Sequence, residues 1–244
     1  MRFFIFLLVA LFLLSCNSNT LEENTPLDSK ALLIPAYFYD KAKWEELSKL
    51  KSSATIIINP NSGPGESTDS NYKDFIDTLL TKEKKPIGYI YTKWSKRDIE
   101  EVEADIDTWL ELYPNIQGFF IDEVANSKEE FNYYQTLSNY IKAKRELFIV
   151  LNPGTFIDEN YYSIANTIVV FENSVKELNS TKDYCQNFNS QSALIVYEAN
   201  KTQMQDIIAF NSCKYFYITD DSLANPYDTL PSFLDEEDKT INQL

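Results

Sequence analysis

Eight short apolar runs recur along the chain, and polar segments with helical spacing lie between them. The runs are ALLIPAYF (31–38), ATIIINP (54–60), PIGYIYT (86–92), GFFIDE (118–123), LFIVLNPG (147–154), TIVVFEN (167–173), ALIVYEA (193–199) and YFYITDD (215–221). Most are continuous rather than alternating, the pattern of strands covered on both faces. In SKRDIEEVEADIDTWLELY, residues Ile99, Val102, Ile106, Trp109 and Leu110 fall on one helical stripe. SKEEFNYYQTLSNYIKAKR reads as a second helix, with Ser127 and Glu130 spaced as a capping box. DSNYKDFIDTLLTKEKK and KTQMQDIIAFNS follow the same logic. Eight strands alternating with helices predict a single (β/α)8 TIM barrel over residues 31–244. An open doubly wound sheet would want a Gly-rich phosphate turn after an early strand, and the sequence has none.

The first stretch stands outside this pattern. In MRFFIFLLVALFLLSC, Arg2 precedes an apolar run that is short for a membrane span and has the length of a signal-peptide core. It closes on Leu-Leu-Ser-Cys, the form of a bacterial lipoprotein box with Cys16 as the lipidated residue. An ordinary secretory signal with an incidental Cys is the competing reading. Residues 1–16 are therefore expected to be a lipoprotein signal, and 17–30 a polar tether. The expected product is an exported monomer of the cell envelope, lipid-anchored to the membrane.

Composition narrows the chemistry. A net charge of −15 argues against nucleic acid, because phosphate binding needs a basic surface. Histidine is absent, which removes Ser-His-Asp triads, Cys-His dyads and His-ligated metals. Apart from Cys16 only Cys185 and Cys213 remain, too few for a zinc site; export would permit them to pair, and the sequence leaves this open. Neither a metal nor a cofactor is expected, so acid–base work falls to Asp, Glu, Tyr or Lys. The chain carries 16 Tyr, 16 Phe and 3 Trp, which suit carbohydrate stacking as well as strands and core.

In a parallel barrel the carboxyl ends of the strands converge on one mouth. Here those ends carry Tyr37, Asn59, Tyr91, the pair Asp122 and Glu123, Asn152, Glu172, Glu198 and Asp220, with Trp94 just beyond the third strand. Each has a plain structural alternative: Asn-Pro starts turns, Asp caps helices and a lone Glu is often a solvated loop residue. The combination is more telling, since four of the eight ends deliver acids and the nearest cations seen are Lys93 and Arg97. Paired carboxylates flanking a cleft are the working parts of glycoside hydrolysis. Asp122 and Glu172, two strands apart, are the candidates, and their like charges would push one pKa upward. Adjacent strand residues face opposite ways, so Glu123 reaches the same cleft only if the strand has ended at Asp122.

The blocks IPAYFYDKAKW, IINPNSGPG, GYIYTKWSKR, DIDTWLELYPNIQGFFIDE, LNPGT, VVFEN and NPYDTLPSFL also resemble, in order and spacing, the spherulin-4-like proteins over residues 33–233. That resemblance implies a (β/α)8 barrel and endo-acting glycosidase activity on α-1,4-linked N-acetylgalactosamine or galactosamine polysaccharide. It implies catalytic roles for Asp122, Glu123 and Glu172. Tyr37, Asn59, Tyr91, Trp94, Asn152, Glu198 and Asp220 would then bind substrate. Where many relatives carry a His at the end of strand seven, this chain has Tyr197 and Glu198. A non-catalytic cell-surface saccharide-binding protein on the same barrel is the alternative.

Overall fold

The computed structural model describes residues 29–244; the expected signal, Cys16 and nearly all of the tether lie outside the described residues. Eight strands close in sequence order: β1 (Ala31–Ala36), β2 (Ala54–Ile58), β3 (Lys85–Tyr91), β4 (Gly118–Asp122), β5 (Phe148–Leu151), β6 (Thr167–Ser174), β7 (Ser192–Tyr197) and β8 (Tyr215–Ile218). Every neighbouring pair is parallel, and β8 meets β1 through Ala31–Tyr215 and Leu32–Phe216. The chain is a single (β/α)8 barrel. Its strands read as unbroken apolar runs because helices or loops cover one face and the packed barrel core the other. Residues 32–34 of β1 and 56–58 of β2 are wholly buried.

Among the described residues six α-helices lie outside the barrel: α1 (Lys41–Ser48), α2 (Ser70–Thr81), α3 (Ile99–Leu112), α4 (Phe131–Lys144), α5 (Lys201–Phe210) and α6 (Leu234–Asn242). The stripe on α3 buries Val102, Ile106 and Trp109. Trp109 fits against β3 because residue 88 is glycine; an added Cβ there would stand 2.7 Å from the indole. Its ring nitrogen donates to the Tyr89 carbonyl at 3.0 Å, so the packing also fixes register.

Two expectations are corrected. Ser127 and Glu130 form no capping box: α4 begins at Phe131, and the Glu130 carboxylate instead accepts from Ser95 Oγ at 2.6 Å. A capping box does start α5, where Asn200 and Gln203 bond reciprocally. The second correction concerns the alternation of strands and helices, which is broken between β5 and β7. Only 3-10 turns occur there, at Glu159–Ser163, Val175–Glu177 and Asn189–Gln191. The long β6–β7 connection is stapled by a Cys185–Cys213 disulfide, with Cα atoms 4.9 Å apart, to the segment entering β8.

Lys30 is docked rather than free, its ammonium donating to the carbonyls of Ile208 and Asn211 near the end of α5. It leads into β1 at the end of the barrel opposite the mouth. Among the described residues, no helix is long and apolar enough to cross a membrane.

Candidate active site

Three adjacent strands build the centre of the mouth. Asp122 is the last residue of β4, Asn152 follows β5, and Glu172 lies on β6. A register shift between Val169 and Phe171, where β6 pairs with β7, inserts one residue just before Glu172. Such a bulge re-aims the side chains around it. The β5–β6 ladder is short; above it Gly154, at φ +64°, turns the chain so that its carbonyl accepts from Glu172 N at 3.1 Å. Its own N–H donates to Asn152 Oδ1 at 3.0 Å, which leaves the Asn152 amide nitrogen pointing at the acids.

That nitrogen serves both carboxylates. Asn152 Nδ2 donates to Asp122 Oδ1 at 2.7 Å and to Glu172 Oε2 at 2.5 Å. The two oxygens that share this donor therefore stand no more than about 5 Å apart. Each acid has a tyrosine of its own. Tyr89 OH donates to Asp122 Oδ2 at 2.7 Å, and Tyr227 OH donates to Glu172 Oε1. Asp122 receives one donor more, the Glu123 backbone N–H at 2.8 Å.

All these donors are neutral, so burial is not offset by a cation. Burial raises the Asp122 carboxyl above the usual carboxylate range, opposed by the hydrogen bonds from Tyr89, Glu123 N and Asn152. Glu172 is pushed up to about 7, first by burial and then by the charge of Asp122, with Tyr227 and Asn152 pulling the other way. With three donors against two, Asp122 is the acid better stabilised as a carboxylate, and Glu172 is the better placed to keep a proton. Tyr37, on the opposite wall, has its hydroxyl pKa raised well above normal by burial and then by Asp122. It packs edge-on against Tyr89 and Tyr227 at 5.5 and 5.6 Å.

The comparisons with known proteins bear on this arrangement. The model of spherulation-specific family 4 matches residues 31–241. Spherulin-4 of Physarum polycephalum is 30% identical over 233 residues, covering 87% of this chain and 70% of that protein. The chain belongs to spherulation-specific family 4. Aspergillus clavatus Sph3, solved in complex with GalNAc, superposes on this family member with a TM-score of 0.77 at 23% identity, covering 88% of this chain and 98% of that one. A GH18 chitinase from Pseudoalteromonas aurantia shares the barrel with a TM-score of 0.58 at 11% identity, covering 88% and 98%.

In this family member β4 stops at Asp122, and Glu123 takes φ +54°, a left-handed turn that carries its side chain out of strand alternation. Two neighbours hold that backbone: Thr92 Oγ1 and Trp94 N both donate to the Glu123 carbonyl, at 2.8 and 2.7 Å. Glu123 Oε2 is buried and meets no partner among the described residues. Trp94 itself lies in three successive left-handed residues, Lys93 to Ser95, and is 54% exposed.

Four other positions have neighbours of their own at the rim. Asn59 Oδ1 accepts from Gly63 N at 3.1 Å, organising the β2–α2 turn. Tyr91 lies at the rim beneath the Arg97 guanidinium, 4.4 Å from its ring centre. Glu198 is paired with Lys176 at 2.7 Å, which with the Ser174 hydroxyl holds its carboxyl below the ordinary value. Lys176 is thus a cation nearer the rim acids than Lys93 or Arg97, correcting the expectation that none lay closer. Asp220 binds Ser232 through both the backbone N–H and the hydroxyl, closing the base of the 219–233 loop.

Two residues of the centre escape sequence reasoning. Tyr89 lies two residues before Tyr91 in a run where any aromatic passes as strand filler. Tyr227 belongs to the NPYDTLPSFL block, but nothing in a loop sequence says that it reaches back across the mouth. Their only signal is polar: a Tyr buried on a barrel face needs a partner for its hydroxyl.

Proposed function

We propose that this chain is a lipid-anchored glycoside hydrolase that cleaves within α-1,4-linked N-acetylgalactosamine or galactosamine polysaccharide. The observation that carries the reading is the half-buried pair Asp122 and Glu172, joined through one Asn152 amide, with three donors on the first acid and two on the second. Glu172, protonated near neutrality, gives its proton to the glycosidic oxygen as the bond from that oxygen to the anomeric carbon breaks. Asp122, ionised, attacks the anomeric carbon and forms a glycosyl ester. Water, deprotonated by Glu172, then displaces Asp122 and restores both acids. The short separation supports this retaining course over direct attack by water, which needs roughly 6.5–9.5 Å between carboxyls. Asn152 donates to one oxygen of each acid and holds their geometry. Glu123, with one carboxylate oxygen unpartnered, accepts a sugar hydroxyl or the N–H at C2. Tyr37 and Trp94 offer rings for the sugar. GalNAc bound to Sph3 supports an amino-sugar substrate.

The anchor at Cys16 complements this geometry. The described chain enters β1 at the end opposite the mouth, so a membrane tether would leave the acids facing outward. Export also fits the Cys185–Cys213 disulfide. Cys16→Ala should move the protein from the membrane to the soluble fraction and abolish incorporation of radiolabelled palmitate.

The activity is tested by reducing-end release from galactosaminogalactan with wild type, Asp122→Asn and Glu172→Gln. Wild type should release ends, and each variant should lose about 1,000-fold. Activity that survives both substitutions sinks the site. Tight binding with no product over long incubation marks a saccharide-binding protein instead.

A further inference from the structure

Large apolar side chains that remain exposed gather on one end of the barrel. Among the described residues, Tyr39, Trp94, Phe156 and Leu223 all lie on loops that follow the carboxyl ends of strands; Phe210 and Leu244 are the exceptions. Isolated exposed rings need no explanation. What sets Tyr39 and Phe156 apart is how firmly each is held and where.

Tyr39 is 55% exposed, yet it is locked. Its hydroxyl donates to Asp69 Oδ2 at 3.1 Å and accepts from Asn71 Nδ2. Its ring meets Trp44 and Tyr72 edge-on, at 5.1 and 5.3 Å. Phe156 is 44% exposed and lies parallel to Tyr184, with centroids 5.7 Å apart. Tyr184 in turn rests edge-on against Phe171, the residue before Glu172. The Lys182 ammonium covers one face of Phe156 at 3.9 Å, so a sugar taking that face displaces one flexible cation. Rings already fixed in place lose little entropy on binding, which is what a stacking platform requires.

Their positions align with the acids. In a closed eight-stranded barrel β1 and β5 are opposite each other, and Tyr39 follows β1 while Phe156 follows β5. Asp122 and Glu172, on β4 and β6, flank β5 symmetrically with Asn152 between them. Tyr37, two residues before Tyr39, already feels the charge of both acids. A chain laid across this diameter passes over the Asn152 amide and between the two carboxylates.

We propose that Tyr39 and Phe156 are outer subsites, each stacking one sugar unit of a single extended glycan that crosses the mouth from β1 to β5. The inference rests on the reading of Asp122 and Glu172 as the cleavage point. It makes the cleft open at both ends, so cleavage falls inside the polymer rather than at its tip. The acidity of the chain, with net charge −15, suits a neutral or cationic glycan.

The test compares α-1,4-linked galactosamine oligosaccharides, a tetrasaccharide against a dodecasaccharide. Tyr39→Ala and Phe156→Ala should each raise KM for the dodecasaccharide about 10-fold, leave kcat unchanged and leave the tetrasaccharide untouched. Tyr39→Phe keeps the ring but loses its bonds to Asp69 and Asn71, so on the dodecasaccharide alone it should fall between wild type and Tyr39→Ala; a folding defect would not discriminate by substrate length. Equal effects on both lengths, or none on either, overturn the proposal while leaving the hydrolase reading intact. Calorimetry with the dodecasaccharide separates the two claims. Affinity that falls about 10-fold in each Ala variant supports the subsites, even in a wild type that never cleaves. Affinity indifferent to both changes contradicts them.

Discussion

Two groups of acids end strands of the same barrel, and the chain treats them oppositely. Asp122 and Glu172 are half-buried and receive only neutral donors: two tyrosines, one amide and one backbone N–H. Both have their carboxyl pKa values raised, chiefly by burial. Glu198 and Asp220, at the ends of β7 and β8, are tied by Lys176 and Ser232. Glu198 is thereby kept ionised at lower pH than usual. The difference teaches that a strand-end carboxylate is equipped for proton transfer when it is desolvated without a cation. A salt-bridged carboxylate at the same rim serves the loops around it.

The largest way to break this comparison, beyond removing the acids themselves, is Asn152→Ala. It deletes the donor that holds the two acids in position against each other, so kcat should fall about 100-fold with little change in KM. A steady-state assay that finds kcat within about threefold of wild type would separate Asn152 from the chemistry. Tyr227→Phe is the next step down. The Tyr227 hydrogen bond favours ionised Glu172, so its loss should raise the Glu172 pKa and carry the alkaline limb of the pH–rate profile upward. The rate at the optimum should drop about 10-fold. A limb that stays put would mean that Tyr227 does not touch the titrating acid. On the other side of the comparison, Glu198→Gln should leave kcat/KM within about twofold, because its bond to Lys176 is partly exposed and belongs to the loops.

A buried acid outside this pair shows the same physics. Glu237 of α6 is fully buried and accepts from Ile218 N at 2.9 Å, just beyond the last paired residues of the β8–β1 closure. Burial raises its carboxyl to about 8. A raised carboxyl contributes its stability at low pH, and that contribution is lost progressively as pH rises from the unfolded value towards the folded one, about 8. Thermal melts should therefore decline between pH 5 and pH 8 in part through this residue, and Glu237→Gln should flatten that decline. Identical slopes for the two proteins would remove Glu237 from the account.

These contrasts also mark what the sequence reveals. The strands are legible because each is an apolar run with turn residues behind it, and Asp122, Asn152 and Glu172 are legible because each stands at the end of such a run. Environment is not legible: Glu198 and Glu172 look alike until Lys176 comes into reach of only one. Tyr227 acts across a loop, a distance that spacing cannot encode. Glu237 sits in LDEEDKTIN, an acidic stretch that reads as a solvated helix face, yet it is the residue driven inward by the open ladder position at Ile218. The missing helices between β5 and β7 follow from local segments that are polar and aperiodic, where the disulfide and aromatic pairs hold the loops instead.

The central claim is that Glu172 is a protonated donor held beside an ionised Asp122. The pH dependence of kcat/KM on galactosaminogalactan tests it most directly. The expected profile is a bell whose alkaline limb falls through about 7, the value to which burial and Asp122 push Glu172, with a residual Glu172→Gln activity that lacks that limb. A wild-type rate that is flat or rising from pH 6 to pH 9 would contradict it.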